Sequence, residues 1–355
     1  MTKHNFTAGP CILDQSVVQG AADALLNFEN TGLSLISISH RDKRLVAVMN
    51  EAIALTKELL NLDEDYEVLF LQGGASMQFL MTAYNLMKVD GQAAYMNTGT
   101  WSKKAIKEAK AFGEVHVFAS SEEDGFNHIP DMSSLPTGMD YVHCTSNNTI
   151  VGTEMTTFPA TDDVLVCDMS SDIFSRPMDF NQFDLIYAGA QKNLGPAGTT
   201  LVAVRKSILG KTGRSIPSML DYLVHADKES MFNTPPVFAI YTSLLTLRWI
   251  KSEGGLEAMA SLANARASML YAEIDRNPLF RGTAREDSRS LMNACFLLAD
   301  ESKGAAFEQL AADAGIIGIK GHRSVGGYRA SMYNALRLDS VKALVAVMQE
   351  LEQQA

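Results

Sequence analysis

A series of short apolar runs constrains this chain more than any other feature. They are "YEVLFLQ" (66–72), "AAYMN" (93–97), "VHVFAS" (115–120), "DYVHCTSN" (140–147), "DVLVCDMS" (163–170), "DLIYAGAQ" (184–191) and "TTLVAVR" (199–205). Each is short enough for a strand, and several are apolar at consecutive positions rather than alternate ones, as expected of strands covered on both faces. Between them the periodicity becomes helical. "DQSVVQGAADALLNF" (14–28) and "RDKRLVAVMNEAIALTKELLNL" (41–62) read as amphipathic helices, the first capped by Asp14, and "GGASMQFLMTAYNLM" (73–87) reads as a third that opens directly from a strand. Strands separated by helices and turn clusters predict a mostly parallel α/β sheet.

Beyond "TPPVFAIYTSLLTLRWIKSEGGLEAMASLANARASMLYAEIDRN" (234–277), one or two long helices by periodicity, the texture changes. "SLMNACFLLAD" (290–300), a helix near 303–314, "GIIGIKG" (315–321) and two further helices predict a smaller α+β lobe. A chain of 355 residues exceeds what one core usually fills, so two lobes are expected. The division is drawn with residues 15–262 as the large lobe and residues 1–14 with 263–355 as the small one.

Composition narrows the function. A net charge of -11, with no zinc-finger spacing and no basic stripe, argues against a nucleic-acid partner. No apolar stretch is long enough to span a bilayer, and "MTKHNFTAGPCILDQ" has no signal-peptide core, so a cytoplasmic protein with no membrane partner is expected. Four cysteines, Cys11, Cys144, Cys167 and Cys295, lie far apart with no CxxC pair. They predict reduced, mostly buried thiols, and no metal site is expected at His143 and Cys144.

In an open α/β sheet, ligands bind at the carboxyl ends of strands. The positions to search are therefore 73–76, 97–101, 146–149, 168–171 and 191–192. Gly73 and Gly74 open a helix whose free N–H groups can hold a phosphate, although a bare strand-to-helix turn accounts for them equally well. Asp168 follows an apolar strand, where a carboxylate needs a cationic partner. Lys192, a single amine at the end of another apolar run, is the first candidate, and a plain Asp-Lys ion pair explains both charges. That pair leaves unexplained the Gly-Gly helix start, the ring of Trp101 and the donors around Thr149. One ligand accounts for all of them: pyridoxal phosphate, with Lys192 as its covalent anchor and general base, Asp168 at the ring nitrogen and Trp101 on the ring face.

At this point the chain resembles the phosphoserine aminotransferase family, within the class V aminotransferases of PLP fold type I. The resemblance runs through nearly the whole length. It is carried by "NFTAGP" (5–10), "ISHR" (38–41), "GGASMQF" (73–79), "DMSSDIFSRP" (168–177), "AGAQKNLGPAG" (188–198), "FNTPP" (232–236) and "GHRSVGGYRASMYNAL" (321–336). It implies a seven-stranded, mostly parallel sheet sandwiched by helices, with the small α+β domain at the C-terminus. It implies Lys192 and Asp168 as catalytic residues, and a cofactor site of Ala75, Ser76, Trp101, Thr149, Asp168, Gln191 and Lys192. Asn233 and Thr234 would join it from the partner subunit of a homodimer with shared active sites.

Substrate contacts are implied for Arg329 at the α-carboxylate and for His40, Arg41, His322 and Arg323 at a distal phosphate or γ-carboxylate. The implied reaction is a reversible ping-pong transfer from L-glutamate to 3-phosphohydroxypyruvate, giving O-phospho-L-serine and 2-oxoglutarate in serine biosynthesis. Some members also use 4-phosphohydroxy-L-threonine on the way to pyridoxine. Guanidinium groups pair with carboxylate and phosphate alike, so one basic pocket can serve both half-reactions. A cysteine desulfurase would need a reactive thiolate on a mobile loop, and an alanine-using aminotransferase would not need the His-Arg pairs. The chain departs from the family pattern at "MTAYN" (81–85), "MNACF" (292–296) and Tyr328.

Overall fold

The computed structural model describes residues 3–354. Residues 1, 2 and 355 of the expected small lobe lie outside it. Each apolar run becomes a strand of one sheet: β1 (Tyr66–Leu71), β2 (Gln92–Asn97), β3 (Glu114–Ser120), β4 (Tyr141–Thr145), β5 (Leu165–Asp168), β6 (Leu185–Gly189) and β7 (Thr200–Arg205). The seven strands lie in the order β1-β7-β6-β5-β4-β2-β3. Only β7 runs against its neighbours, β1 and β6, while the other pairings are parallel. The C-terminal ends of the remaining six strands therefore share one edge.

Side chains alternate between the two faces of a strand, and here both faces are buried. Val68, Phe70, Val142, Cys144, Cys167 and Ile186 point to a layer that includes Leu45, Val48, Leu55, Ile240, Leu244 and Leu247 from the helices Lys43–Leu60 and Val237–Ser252. Leu69, Leu71, Tyr95, Tyr141, Val166 and Tyr187 face the other layer, built on the helices Gly74–Leu86 and Thr100–Ala109. Asp168, two residues after Val166, projects to this second side. These two helices begin with the Gly-Gly turn and with Trp101, so the period of the strand alone brings the carboxylate to them.

A separate core is built from Phe6, Leu270, Ile274, Phe280, Phe296, Phe307, Tyr328, Val341 and Met348. It surrounds a three-stranded antiparallel sheet of Phe280–Gly282, Asn293–Leu298 and Tyr328–Ser331, in that order. The N-terminal strand His4–Asn5 joins this part of the molecule by pairing with Ile316–Ile317. The long helical region divides at Gly254 and Gly255 into Val237–Ser252 and Gly255–Arg276. The second of these helices crosses residue 262: Leu256 and Met259 belong to the first core, and Ala267, Leu270 and Ile274 to the second.

One expectation is corrected. Two helices were expected after residue 321, and among the described residues only Leu338–Gln353 is found there. Gly326 and Gly327 adopt positive φ (72° and 61°) and turn the chain into the strand Tyr328–Ser331, which hydrogen-bonds to Asn293–Leu298. The departures from the family pattern at Phe296 and Tyr328 are Cα partners in this pairing, and their rings stack at 5.7 Å. They are one packing unit, closed by Phe307 edge-on to Tyr328 at 4.7 Å.

Phe296→Ala empties the middle of this aromatic group. It is expected to lower the stability of the C-terminal lobe by about 3–5 kcal/mol. Urea denaturation followed by far-UV circular dichroism checks it, and a loss below about 1 kcal/mol would mean that the rings do not form a shared core.

Candidate active site

Asp168 is the last residue of β5 and is almost fully buried. Its Oδ1 accepts the Ser170 N–H at 2.9 Å and the Ser170 hydroxyl at 2.6 Å. No hydrogen bond from a described residue reaches its Oδ2. Burial pushes this carboxyl up from its ordinary range, against the Ser170 donors and the attraction of Lys192.

Lys192 lies three residues beyond the end of β6, in a tight turn where Leu194 N–H and Gly195 N–H both bond to Ala190 O, at 3.1 and 2.8 Å. The turn is clasped by the N-terminal segment: Cys11 N–H donates to Gln191 O at 3.1 Å and the Cys11 thiol donates to Lys192 O. Gly9, at φ 137°, lies against the lysine stem, where a Cβ would sit 3.5 Å from Lys192 Cγ. The amine donates to Thr149 Oγ1 at 2.6 Å and stands 5.5 Å from the centre of the Trp101 ring. Burial lowers it to about 8, with repulsion from Arg329 adding and attraction to Asp168 opposing. Asp168 and Lys192 do not form an ion pair. The plain Asp-Lys pair allowed by the sequence is thus absent, and each group faces the other across a gap.

Around that gap the backbone is arranged for an anion and a ring. Gly73 (φ 97°) and Gly74 (φ 67°) turn β1 into the helix Gly74–Leu86. A Cβ on Gly73 would lie 2.6 Å from Met77 Cβ, so the turn needs glycine for space as well as for φ. No side chain caps this helix, which leaves the N–H groups of its first turn, with Ala75 and Ser76, free for a ligand. Trp101 stands in the first turn of Thr100–Ala109, fixed by Ser102 Oγ, which accepts the N–H groups of Thr98 and Gly99 at 2.9 Å each. Its indole Nε1 is buried without a partner.

These groups fit a planar pyridinium that carries a phosphate and a carbonyl carbon. The unpartnered Asp168 Oδ2 is an acceptor for a ring N–H, Trp101 offers a ring face, and Lys192 offers a partly neutral amine. The Gly73–Ser76 turn, with Gln191 beside Gly9 and Gly189, offers donors for phosphate.

The expected substrate residues divide in two. Arg329, on Tyr328–Ser331, donates from Nη1 to Thr149 O at 3.1 Å, while its Nε is buried without a partner. It lines a 590 Å³ cleft with Thr7, Ala8, Gly9 and Lys320, at the lysine's side of the molecule. His322 and Arg323 form an exposed turn just before this strand, with the His322 ring bonded to Ser324 Oγ at 2.7 Å. Burial and the cations Arg329 and Arg323 lower the His322 pKa.

His40 and Arg41 are elsewhere. Neither has a hydrogen bond or ion pair to the Lys192 group, and His40 lines a small pocket with Met231 and Pro235. Asn233 and Thr234 lie between Met231 and Pro235 in the loop 231–236, and Thr234 O accepts Gln72 Nε2 at 3.0 Å within the same chain.

The structure also adds residues that sequence reasoning missed. Ser170 orients Asp168, Asn193 Oδ1 accepts Asn334 N–H at 3.0 Å, and Tyr333 hydroxyl donates to Ala8 O at 2.8 Å. Asp172 is a second buried carboxylate one turn beyond Asp168. The signal for Ser170 and Asp172 was present in "DMSSD", where small hydroxyls separate two acids.

Comparison with known proteins adds to this geometry. The family model for class-V aminotransferases matches residues 4–344. A phosphoserine aminotransferase of Flavobacterium psychrophilum is 62% identical over 353 residues, covering 99% of both chains. One from Parabacteroides distasonis is 56% identical over 356 residues, covering 100% of both. The solved phosphoserine aminotransferase from Bacillus circulans subsp. alkalophilus superposes with a TM-score of 0.96 at 43% identity, over 99% of both chains. The PLP-bound enzyme from Trichomonas vaginalis gives 0.93 at 35% identity, over 98% of this chain and 100% of that one.

In the full chain freed of any cofactor, Lys192 is expected to be acylated by acetic anhydride with a pH midpoint near 8, whereas ordinary lysines titrate near 10.5. Competitive labelling with peptide mass spectrometry reads each site. A Lys192 that titrates with the surface lysines would remove the buried setting described for it.

Proposed function

We infer that this chain, which belongs to the class-V aminotransferase family, is a pyridoxal phosphate-dependent phosphoserine aminotransferase of serine biosynthesis. It moves the amino group reversibly between L-glutamate and 3-phosphohydroxypyruvate, giving 2-oxoglutarate and O-phospho-L-serine. The observation that carries this reading is the separation of Asp168 and Lys192, a buried acid and a half-buried amine that attract one another yet form no ion pair, with Asp168 Oδ2 free.

When bound, the cofactor supplies an electron sink for the substrate Cα and carries the amino group between the two half-reactions. The remaining work belongs to side chains. Ser170 fixes Asp168 so that its free oxygen presents negative charge to the ring nitrogen. Lys192 Nζ, with a pKa of about 8, exists in both protonation states near neutrality and so can both take a proton from Cα and return it. Thr149 Oγ1 holds that nitrogen in place, and Trp101, whose ring faces Lys192, would cover the cofactor ring and exclude water. Ala75, Ser76 and Gln191 are assigned to the cofactor phosphate, which they would hold at the uncapped start of Gly74–Leu86.

Arg329 is braced by Thr149 O, which leaves its Nε for the α-carboxylate of every substrate. His322 and Arg323, with His40 and Arg41, are assigned to the distal anion, phosphate in one half-reaction and γ-carboxylate in the other. 4-Phosphohydroxy-L-threonine carries the same two anions and is proposed as a further substrate.

A homodimer with shared active sites is part of the proposal. Leu26 (81% exposed) and Ile36 (66%), with Leu33, leave apolar surface on the first helix and the loops after it. His40 lies beside the 231–237 loop, so a second copy that receives Asn233 and Thr234 receives His40 from the same surface. The division into residues 15–262 and the remainder is kept as a functional one, with the cofactor on the first lobe and Arg329 on the second. Four free cysteines agree with a cytoplasmic setting, and no helix among the described residues is long and apolar enough to cross a membrane. The thiols do not suit a desulfurase: burial pushes Cys11 up to about 12, and the other three are buried in the cores.

The purified protein is expected to be yellow and to lose that absorbance when O-phosphoserine is added without a keto acid. Lys192→Ala should abolish turnover, and a variant that still transaminates would sink the assignment. Arg329→Ala should raise KM for both glutamate and phosphoserine by roughly tenfold to a hundredfold, since a charged hydrogen bond is lost from each. An effect on one substrate alone would remove Arg329 from the α-carboxylate. Mixing inactive Lys192→Ala and Arg41→Ala chains should restore roughly a quarter of wild-type activity by random pairing. No recovery after verified subunit exchange would place Arg41 in the same subunit's site.

A further inference from the structure

Beside Asp168 lies a second carboxylate that the reaction above does not use. The Asp172 side chain has no exposed surface. Its Oδ1 accepts the hydroxyl of Ser146, and its Oδ2 lies 3.5 Å from Arg176 Nη2. The same guanidinium donates to Glu154 and, at 2.7 Å, to Met155 O, so one half-buried arginine serves two buried acids. Ser146 follows β4, and its Oγ also stands 3.1 Å from the main-chain oxygen of Asp168.

A hydroxyl has a single proton to give. With Asp172 ionised, the Ser146 proton points at that carboxylate. With Asp172 protonated, the carboxyl can donate to Ser146 Oγ, which turns its own proton to Asp168 O. The charge arrangement favours such an exchange: Asp168, Asp172 and Glu154 share the cations Arg176 and Lys192, and the nearby Asp168 charge favours a proton on Asp172. Burial pushes the Asp172 carboxyl up to about 7, with the Ser146 bond opposing and Asp168 adding. Cys167 on β5 with its neighbour Cys144, Tyr187 on β6 and Cys11 are further titratable neighbours of the group, and Arg329 also acts on Lys192.

We propose that Asp172 is a positioning residue of the active site, which through its charge and through Ser146 sets the placement of Asp168 and the proton affinity of Lys192 Nζ. The proposal rests on the reading of Lys192 and Asp168 given above. Its test uses the amine itself, so that an error in the substrate assignment leaves the result unmoved.

The test is competitive acetic anhydride labelling of Lys192 in the full chain freed of cofactor, compared among wild type, Asp172→Asn and Ser146→Ala. An amide at 172 removes the charge but keeps the shape. Loss of the Ser146 hydroxyl makes the carboxyl hold its proton more tightly. Both changes weaken the field that keeps Lys192 protonated, and both are expected to lower its midpoint from about 8 by about half a pH unit or more, a threefold or larger loss of proton affinity. A purely structural Asp172 would lower the melting temperature and leave the midpoint in place. Unchanged or raised midpoints in the folded variants overturn the proposal. Should Asp172→Asn fail to fold, the Ser146→Ala midpoint decides.

Discussion

A carboxylate buried at the end of a parallel strand is the constraint on which this active site depends. Asp168 cannot stay charged beneath the sheet edge unless something positive stands near it, since an isolated buried charge is prohibitive. The cation that acts on it is Lys192, yet the structure keeps that amine on Thr149 rather than on Asp168. Two side chains that would neutralise one another are thus held in partial frustration, the acid raised by burial and the amine lowered by it. A cationic ring nitrogen beside Asp168 would compensate the buried carboxylate, and a lysine held on Thr149 rather than on the acid leaves Asp168 Oδ2 available to it.

The sheet delivers this arrangement through its periodicity. Because β5 alternates, Val166 and Asp168 face the helices Gly74–Leu86 and Thr100–Ala109, while Cys167 faces the opposite layer. Both of these helices begin at the sheet edge, so the anion-holding turn and the Trp101 ring arrive on the side where the carboxylate projects. A register slip of one residue in β5 would turn Asp168 into the apolar layer with Cys144 and Ile186 and take the site apart. The strand's apolar residues on both faces make such a slip costly, and in this sense the core specifies the chemistry.

Much of this was legible in the sequence, for physical reasons that also mark where legibility stops. Consecutive apolar residues announced the strands, glycine pairs announced the turns, and a lone Lys192 beyond an apolar run announced itself because an amine is out of place there. Long-range polar partners announced nothing. Ser146, Ser170 and Asn193 are small residues whose roles come from hydrogen bonds to Asp172, Asp168 and Asn334, and only the fold brings these together. The strand Tyr328–Ser331 was equally hidden, because its extended form comes from pairing with Asn293–Leu298 across an intervening helix rather than from any local pattern. His40 and Arg41 show a third limit: a motif can be read while its place in a single chain lies away from the lysine it is meant to serve.

The interface between the lobes follows from the same need to satisfy buried polar groups. Asn147, just past β4, donates to Asn293 Oδ1 at 2.8 Å and accepts the Ser290 hydroxyl at 2.5 Å. Glu154 accepts Leu291 N–H at 2.7 Å, and Asn334 N–H reaches Asn193, the neighbour of Lys192, at 3.0 Å. Arg266 closes the C-terminal side by donating to Leu336 O at 2.7 Å and Asn334 O at 3.1 Å. Such a network is costly to break, because each lost bond strands a further buried partner beside Arg266 Nε, Arg266 Nη2 and Asn334 Oδ1, which already have none. Lobe separation would break several at once, so the strand that carries Arg329 is held at a fixed distance from the turn that carries Lys192. Arg329, proposed for the α-carboxylate, is therefore tied to the Lys192 side of the site through Thr149, whose main-chain oxygen accepts from Arg329 and whose hydroxyl accepts from Lys192 Nζ. The exposed turn of His322 and Arg323, proposed for the distal anion, lies outside this network, and its side-chain bond is the local one from His322 to Ser324.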